Sequence, residues 1–194
     1  MKLSMKQNGL SLNDLEKRFK QVLNAMPTVM GQAAVTHFQE NITKRQGLPS
    51  GGALQRFKGR VFEGRQRGKG ILNDIGNLVD SIKIISRSQN CVEVGIRPTE
   101  MPYAQVHQEG GQIPITQKMR KFFWAQYYQH ASSAGRSRGK RAISTSKEAN
   151  FWKAMALKRK NTTINIPKRQ FMDATPDLEK AILRVIKTEM DQLI

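Results

Sequence analysis

Two runs rich in β-branched residues, SIKIISR at 81–87 and CVEVGI at 91–96, are separated only by Ser88, Gln89 and Asn90. Branching at Cβ favours a pleated backbone, and three polar residues suffice to turn a chain back on itself. The pair predicts an antiparallel hairpin with Ile82, Ile84, Val92, Val94 and Ile96 turned towards a core.

The flanking segments read mainly as helices. Ser11 and Asp14 mark a helix start, and Leu12, Leu15, Phe19, Val22, Leu23 and Met26 recur at the spacing of one helical face. Pro27 predicts a kink or the first turn of a second helix, which carries Met30, Ala33, Ala34, His37, Phe38 and Ile42, with His37 at the edge of a packed face. LNDIGNLVDSI at 72–82 suggests a short helical turn before the hairpin, and MPYAQVHQEGG at 101–111 a short extended or helical piece stopped by Gly110 and Gly111. Thr116 can cap a helix bearing Met119, Phe122, Phe123 and Tyr127, while Phe151, Trp152, Met155 and Leu157 form a further amphipathic stretch. TTINIP at 162–167 is a candidate third strand ended by Pro167. Thr175, Pro176 and Asp177 then start a last helix with Leu178, Ile182, Val185, Ile186, Met190 and Leu193 on its inner stripe.

This order does not alternate regularly enough for a doubly wound parallel sheet. The expected fold is α+β: a small antiparallel sheet packed against N- and C-terminal helices, with long basic loops. A chain of 194 residues suits a single domain over 1–194. Within it, 8–46 is helical, 47–70 a basic loop and 71–194 an α+β core with a second basic loop at 131–150.

A hydrophobic content of 38% implies a modest core. No stretch approaches the ~20 apolar residues of a membrane span, and the basic start runs into polar sequence, so a soluble, unprocessed protein without membrane contact is expected. Cys91 is the single cysteine, so no internal disulfide or cysteine-based metal site can form, and its strand-like setting predicts a small buried hydrophobe. His37, His107 and His130 fall in different elements without a nearby partner at metal-ligand spacing. No nucleophile–base pairing, paired acidic motif or phosphate-binding glycine loop is recognisable. The expectation is no cofactor, no metal and no enzymatic reaction.

Charge is more informative. The formal net charge is +18. Lys44, Arg45, Arg56, Lys58, Arg60, Arg65, Arg67 and Lys69 face only Glu63 between 41 and 70. Arg136, Arg138, Lys140, Arg141, Lys147, Lys153, Lys158, Arg159 and Lys160 face only Glu148 between 131 and 160. These 17 basic and 2 acidic residues place +15 of the charge in two loop-rich segments. Such concentration favours a polyanionic partner, either DNA phosphates or an acidic protein surface; no base-reading motif accompanies it. Loops of this kind, at about 44–69 and 136–147, are expected to become ordered only against such a counter-charge.

Several short motifs follow one another in order, with no internal repeat. Leu72, Gly76, Leu78 and Ser81 form a Leu-x-x-x-Gly-x-Leu-x-x-Ser segment before the hairpin. Tyr103, Ala104, His107, Gln108, Gly110 and Gly111 form a Tyr-Ala-x-x-His-Gln-x-Gly-Gly element. Ile166, Pro167, Arg169 and Phe171 match an Ile-Pro-Ala-Arg-Pro-Phe element, with Lys168 and Gln170 departing from it. Together with ITQKMRKFFWA at 115–125, these pieces, from about residue 70 to the end, resemble the phage virion morphogenesis family, the tail-completion proteins of Mu-like contractile-tailed phages.

The resemblance implies a structural protein of the tail terminus or neck that completes the tail and joins it to the head as a homo-oligomeric ring. Its implied partners are other neck and tail proteins, and its location the virion, with the host cytoplasm during assembly. A sequence-independent nucleic-acid-binding protein is the alternative for which charge alone argues. The motif residues read as folding determinants: glycines for tight turns, Tyr103 and Phe171 for packing, and Arg169 to hold a carboxylate or carbonyl.

Overall fold

The computed structural model describes residues 12–59, 70–132, 147–158 and 162–192. The first described element is one long helix, α1 (Leu12–Glu40), which runs through Pro27 without ending there. Pro27 has no N–H for the Leu23 carbonyl, so this turn is held by side-chain packing more than by its ladder; Pro27 itself is buried. The last turn widens into a π-helical segment, Asn41–Arg45, closed by Gln46 in the left-handed region at φ 52°.

A hairpin follows where sequence reasoning expects only loop. β1 (Gly47–Ser50) and β2 (Ala53–Arg56) pair antiparallel, with Ser50 opposite Ala53. Gly51 and Gly52, at φ 60° and 92°, take the two positive-φ places of the tight turn that matches strand twist. All of β2 is exposed, which removes the apolar alternation that would have announced it.

The short helix α2 (Asn77–Asp80) leads into β3 (Lys83–Arg87) and β4 (Val92–Gly95), the hairpin expected from the β-branched runs. Ile82 is 1% exposed, while Ile84, Val94 and Ile96 pack against the core from partly buried positions. α1 crosses this hairpin at Gly31, where a Cβ would lie 2.7 Å from Val92 Cγ2 and 2.8 Å from Ile84 Cδ1. Cys91, expected to be buried, is exposed, because it sits in the connection between the strands and not in the ladder.

Next come α3 (Ala104–Glu109), β5 (Gly111–Pro114), α4 (Gln117–Ser132), α5 (Lys147–Leu157), β6 (Thr163–Ile166) and α6 (Pro176–Asp191). Thr116 Oγ1 accepts from Met119 N at 3.2 Å and Thr175 Oγ1 from Leu178 N at 3.3 Å, so both expected caps form. The TTINIP segment does make a strand, but it pairs with β5 and not with the β3–β4 hairpin. The fold is therefore α+β, with three two-stranded antiparallel sheets among the described residues in place of one small sheet.

Among the described residues, two apolar clusters hold these elements. Phe38, Ile42, Phe57, Leu78, Ile82, Phe171 and Leu178 are central to the first, which joins α1, α2, the β3–β4 hairpin and the start of α6. The second is built from Ile115, Phe123, Met155 and Ala156, with Trp152 and Ile164 against them, and ties α4 and α5 to the β5–β6 ribbon. The N-terminal half of α1 buries little: Leu15, Phe19 and Leu23 are 47%, 42% and 48% exposed, although they continue the apolar stripe. No helix among the described residues is long and apolar enough to cross a membrane.

Candidate functional site

The residues of these motifs, up to about a hundred positions apart in sequence, meet where α2, α3 and the segment after β6 pack on the end of α1. Gly76 takes φ 92° at the start of α2, which lets Leu78 drop into the core at 3% exposure. Ser81, itself buried, donates its hydroxyl to the Leu78 carbonyl at 2.7 Å and closes that turn. Leu72 adopts a left-handed φ of 63°, strained for a side chain of its size, and packs on the first cluster.

In the second motif, Ala104 is buried and Tyr103 is 44% exposed, its ring edge-on to His107 at 5.9 Å. The His107 carbonyl accepts from Arg169 N at 2.7 Å. Gln108 does most of the joining: its Oε1 accepts from Phe171 N at 3.0 Å and Met172 N at 3.2 Å, and its Nε2 donates to the Met172 carbonyl. Gly110 follows at φ 77° and ψ 168°, and Gly111 opens β5 opposite Ile166.

The third motif supplies the other half of this clasp. Ile166 ends β6, Pro167 is half-buried, and Arg169 Nε donates to the Lys58 carbonyl at 2.9 Å. Phe171 is 1% exposed, and its carbonyl accepts from Asn41 Nδ2 at 3.0 Å. Asn41, fully buried in the π-helical turn, accepts in turn from Arg45 Nη1 at 2.8 Å. The segment around Phe171 is thus gripped by Gln108 on one side and Asn41 on the other, an arrangement no periodicity could announce.

A cleft of about 320 Å³ opens beside the clasp, lined by Leu72, Gly76, Tyr103, His107 and Arg169 together with Asp74. His107 Nδ1 is buried without a hydrogen-bond partner, and burial, helped by the Arg169 charge, pushes the imidazole below its usual range. His37 behaves alike: it is buried rather than at an edge, Nε2 has no partner, and burial first and Arg45 second lower its pKa. Both shifts favour the neutral imidazole. No group of three or more histidine, cysteine or acidic side chains among the described residues is placed to hold a metal ion. The bonds that Gln108, Asn41, Ser81 and Arg169 make to backbone carbonyls and amides bind one segment of chain to another.

The basic residues divide. Arg45 is committed inward, donating to Glu40 at 2.9 Å, Asn41 at 2.8 Å and the His37 carbonyl at 3.2 Å. Lys44 pairs with Glu40 at 2.7 Å while staying 73% exposed. Arg56 and Lys58 are exposed on and just after β2. Arg60, Arg65, Arg67, Lys69, Arg136, Arg138, Lys140 and Arg141 lie outside the described residues, as do positions 60–69 of the first expected loop and nearly all of the second.

The model of the phage virion morphogenesis family matches residues 4–191, nearly the whole length. No curated protein and no solved structure matches the chain significantly.

Proposed function

Since the chain belongs to the phage virion morphogenesis family, we propose that it is a structural subunit that completes the tail and joins it to the head. It acts as one of a ring of identical copies at the tail terminus, in contact with neighbouring neck and tail proteins. The observation that carries this reading is that the family match spans the chain while its motif residues are used to clasp the fold together. A protein that works by shape needs such rigidity. It also needs surface to offer its neighbours, and the exposed Leu15, Phe19 and Leu23 stripe supports that requirement.

Electron microscopy of particles made without the protein tests the reading. Separate heads and incomplete tails are expected; normal infectious particles would overturn it. Native mass spectrometry of the purified protein, or of tails carrying it, should find more than one copy per complex.

A second reading, sequence-independent contact with DNA phosphates, is favoured by the +18 charge. Titration against duplex DNA at several salt concentrations separates the two. Tight binding by the free protein with a steep salt slope supports nucleic-acid binding, and weak binding supports assembly alone.

A further inference from the structure

α4 turns one face to its partner helix and another to solvent. Phe123 is buried, and Arg120 reaches inward to donate to the Ala156 carbonyl at 3.1 Å. Opposite them, Lys118, Lys121, Phe122, Ala125, Tyr128 and Gln129 are all exposed, with Phe122 at 52% and Tyr128 at 61%. These positions recur every three or four residues and lie on one side of the helix.

The two rings are held by neighbours. Tyr128 stacks on Trp124 with centroids 5.9 Å apart and planes at 27°, and Phe122 stands edge-on to Trp152 at 6.0 Å. Aromatic anchors fixed in this way lose little entropy on docking. Charge on the helix has one sign: α4 contains no carboxylate at all, and residues 117–158 carry 10 basic residues against Glu148.

We propose that this outward face of α4, Phe122, Ala125 and Tyr128 rimmed by Lys118 and Lys121, docks into an acid-rimmed apolar groove on a different virion protein. The inference rests on the assembly reading above and names the kind of neighbour that reading requires. Three arguments select the occupant. Phe122 has no polar atom and gains nothing from phosphates, whereas an apolar groove would bury it. The bases of an undistorted duplex are stacked on one another, so seating these rings between them would first cost about a few kcal/mol of unstacking per step. A second copy of the same face would set Lys118 and Lys121 against their own counterparts, in a protein already carrying +18. A helix laid in a groove lined with carboxylates avoids all three difficulties.

The test replaces Ala125, at the middle of the face, with p-benzoylphenylalanine in the full chain and irradiates assembled particles. A covalent adduct to another virion protein is expected, and mass spectrometry of the joined peptides reads its site. Phe122→Ser with Tyr128→Ser, and separately Lys118→Glu with Lys121→Glu, should each lower the adduct yield at least about tenfold. The thermal melt should stay within a few degrees, since every altered side chain is exposed. Adducts only to DNA, adducts only to a second copy of this chain, or undiminished yield in the lysine variant would overturn the proposal. Its failure is distinct from failure of the assembly reading. Undiminished yields while loss of the protein still arrests tails reject the α4 face alone; normal particles without the protein reject both.

Discussion

Gly110 and Gly111 stand side by side in the same motif, yet the fold asks different things of them. Gly110 has φ 77° and ψ 168°, a region populated almost only by glycine, and a Cβ there would meet Lys168 N at 2.9 Å. Backbone cannot step aside as a side-chain tip can. Gly110→Ala should therefore cost about 2–3 kcal/mol, a fall of roughly 5–10 °C in melting temperature measured by circular dichroism. Gly111 has room, its nearest neighbour to a Cβ being Val106 Cγ1 at 3.7 Å, and it lies in an exposed strand. Gly111→Ala should leave the melt unchanged or raise it slightly. An equal loss at both positions would show that the motif constrains something other than backbone conformation. Sequence reasoning could see that glycines end α3, but not which of them the turn requires. Gln108 and Asn41 were still less legible as a pair, because their partners are backbone atoms 63 and 130 residues away. Cys91 illustrates the opposite error: a β-branched neighbourhood suggested burial, and its place in the connection exposes it. It should react with a thiol reagent at one equivalent without denaturant.

At the scale of elements, apolar periodicity says that a face exists and not what covers it. α1 shows this within one helix, since the same stripe is exposed at Phe19 and buried at Phe38, at 42% and 7%. Phe38→Ala should cost about 3–4 kcal/mol by opening the first cluster, whereas Phe19→Ala should cost less than about 1 kcal/mol in the dissociated subunit. Chemical denaturation of the two variants compares them directly, and equal losses would mean that the N-terminal half of α1 is packed in solution. The β3–β4 hairpin, the Thr116 and Thr175 caps and α6 were legible because each rests on local chemistry: branched side chains, a hydroxyl, a proline at the first turn. The β1–β2 hairpin was not, since its strands lack alternation and its Gly51–Gly52 turn was submerged in a glycine-rich basic stretch. The partner of β6 was hidden for another reason: 48 residues separate the end of β5 from the start of β6, and only the intervening α4–α5 pair brings them together.

For the molecule as a whole, charge and the histidines His37 and His107, one buried and one half-buried, act in the same direction. His37 and His107 both have folded pKa values below the usual 6.5, with burial the leading cause in each. Besides Arg45, Asp177 and Glu40 act on His37, and these carboxylates offset only part of the burial effect. A histidine whose pKa is lowered by folding binds its proton more readily unfolded. Its neutral form thus contributes stability in full above about pH 6.5, and that contribution is lost as pH falls below the unfolded value. Added protons also raise a net charge that is already +18, so self-repulsion works with the histidines and not against them. Melting temperature should be level from about pH 8 to 7 and then decline as pH falls from about 6.5 towards 5. Salt distinguishes the contributions, because it screens self-repulsion between exposed charges but scarcely affects the burial of a neutral ring. At 0.5 M sodium chloride the decline should become shallower without vanishing. His107→Gln, which cannot take up a proton, should flatten it further at the expense of some stability at pH 8. A melt that rises on acidification, or whose slope is the same with and without His107, would show that these rings are not held neutral by the fold.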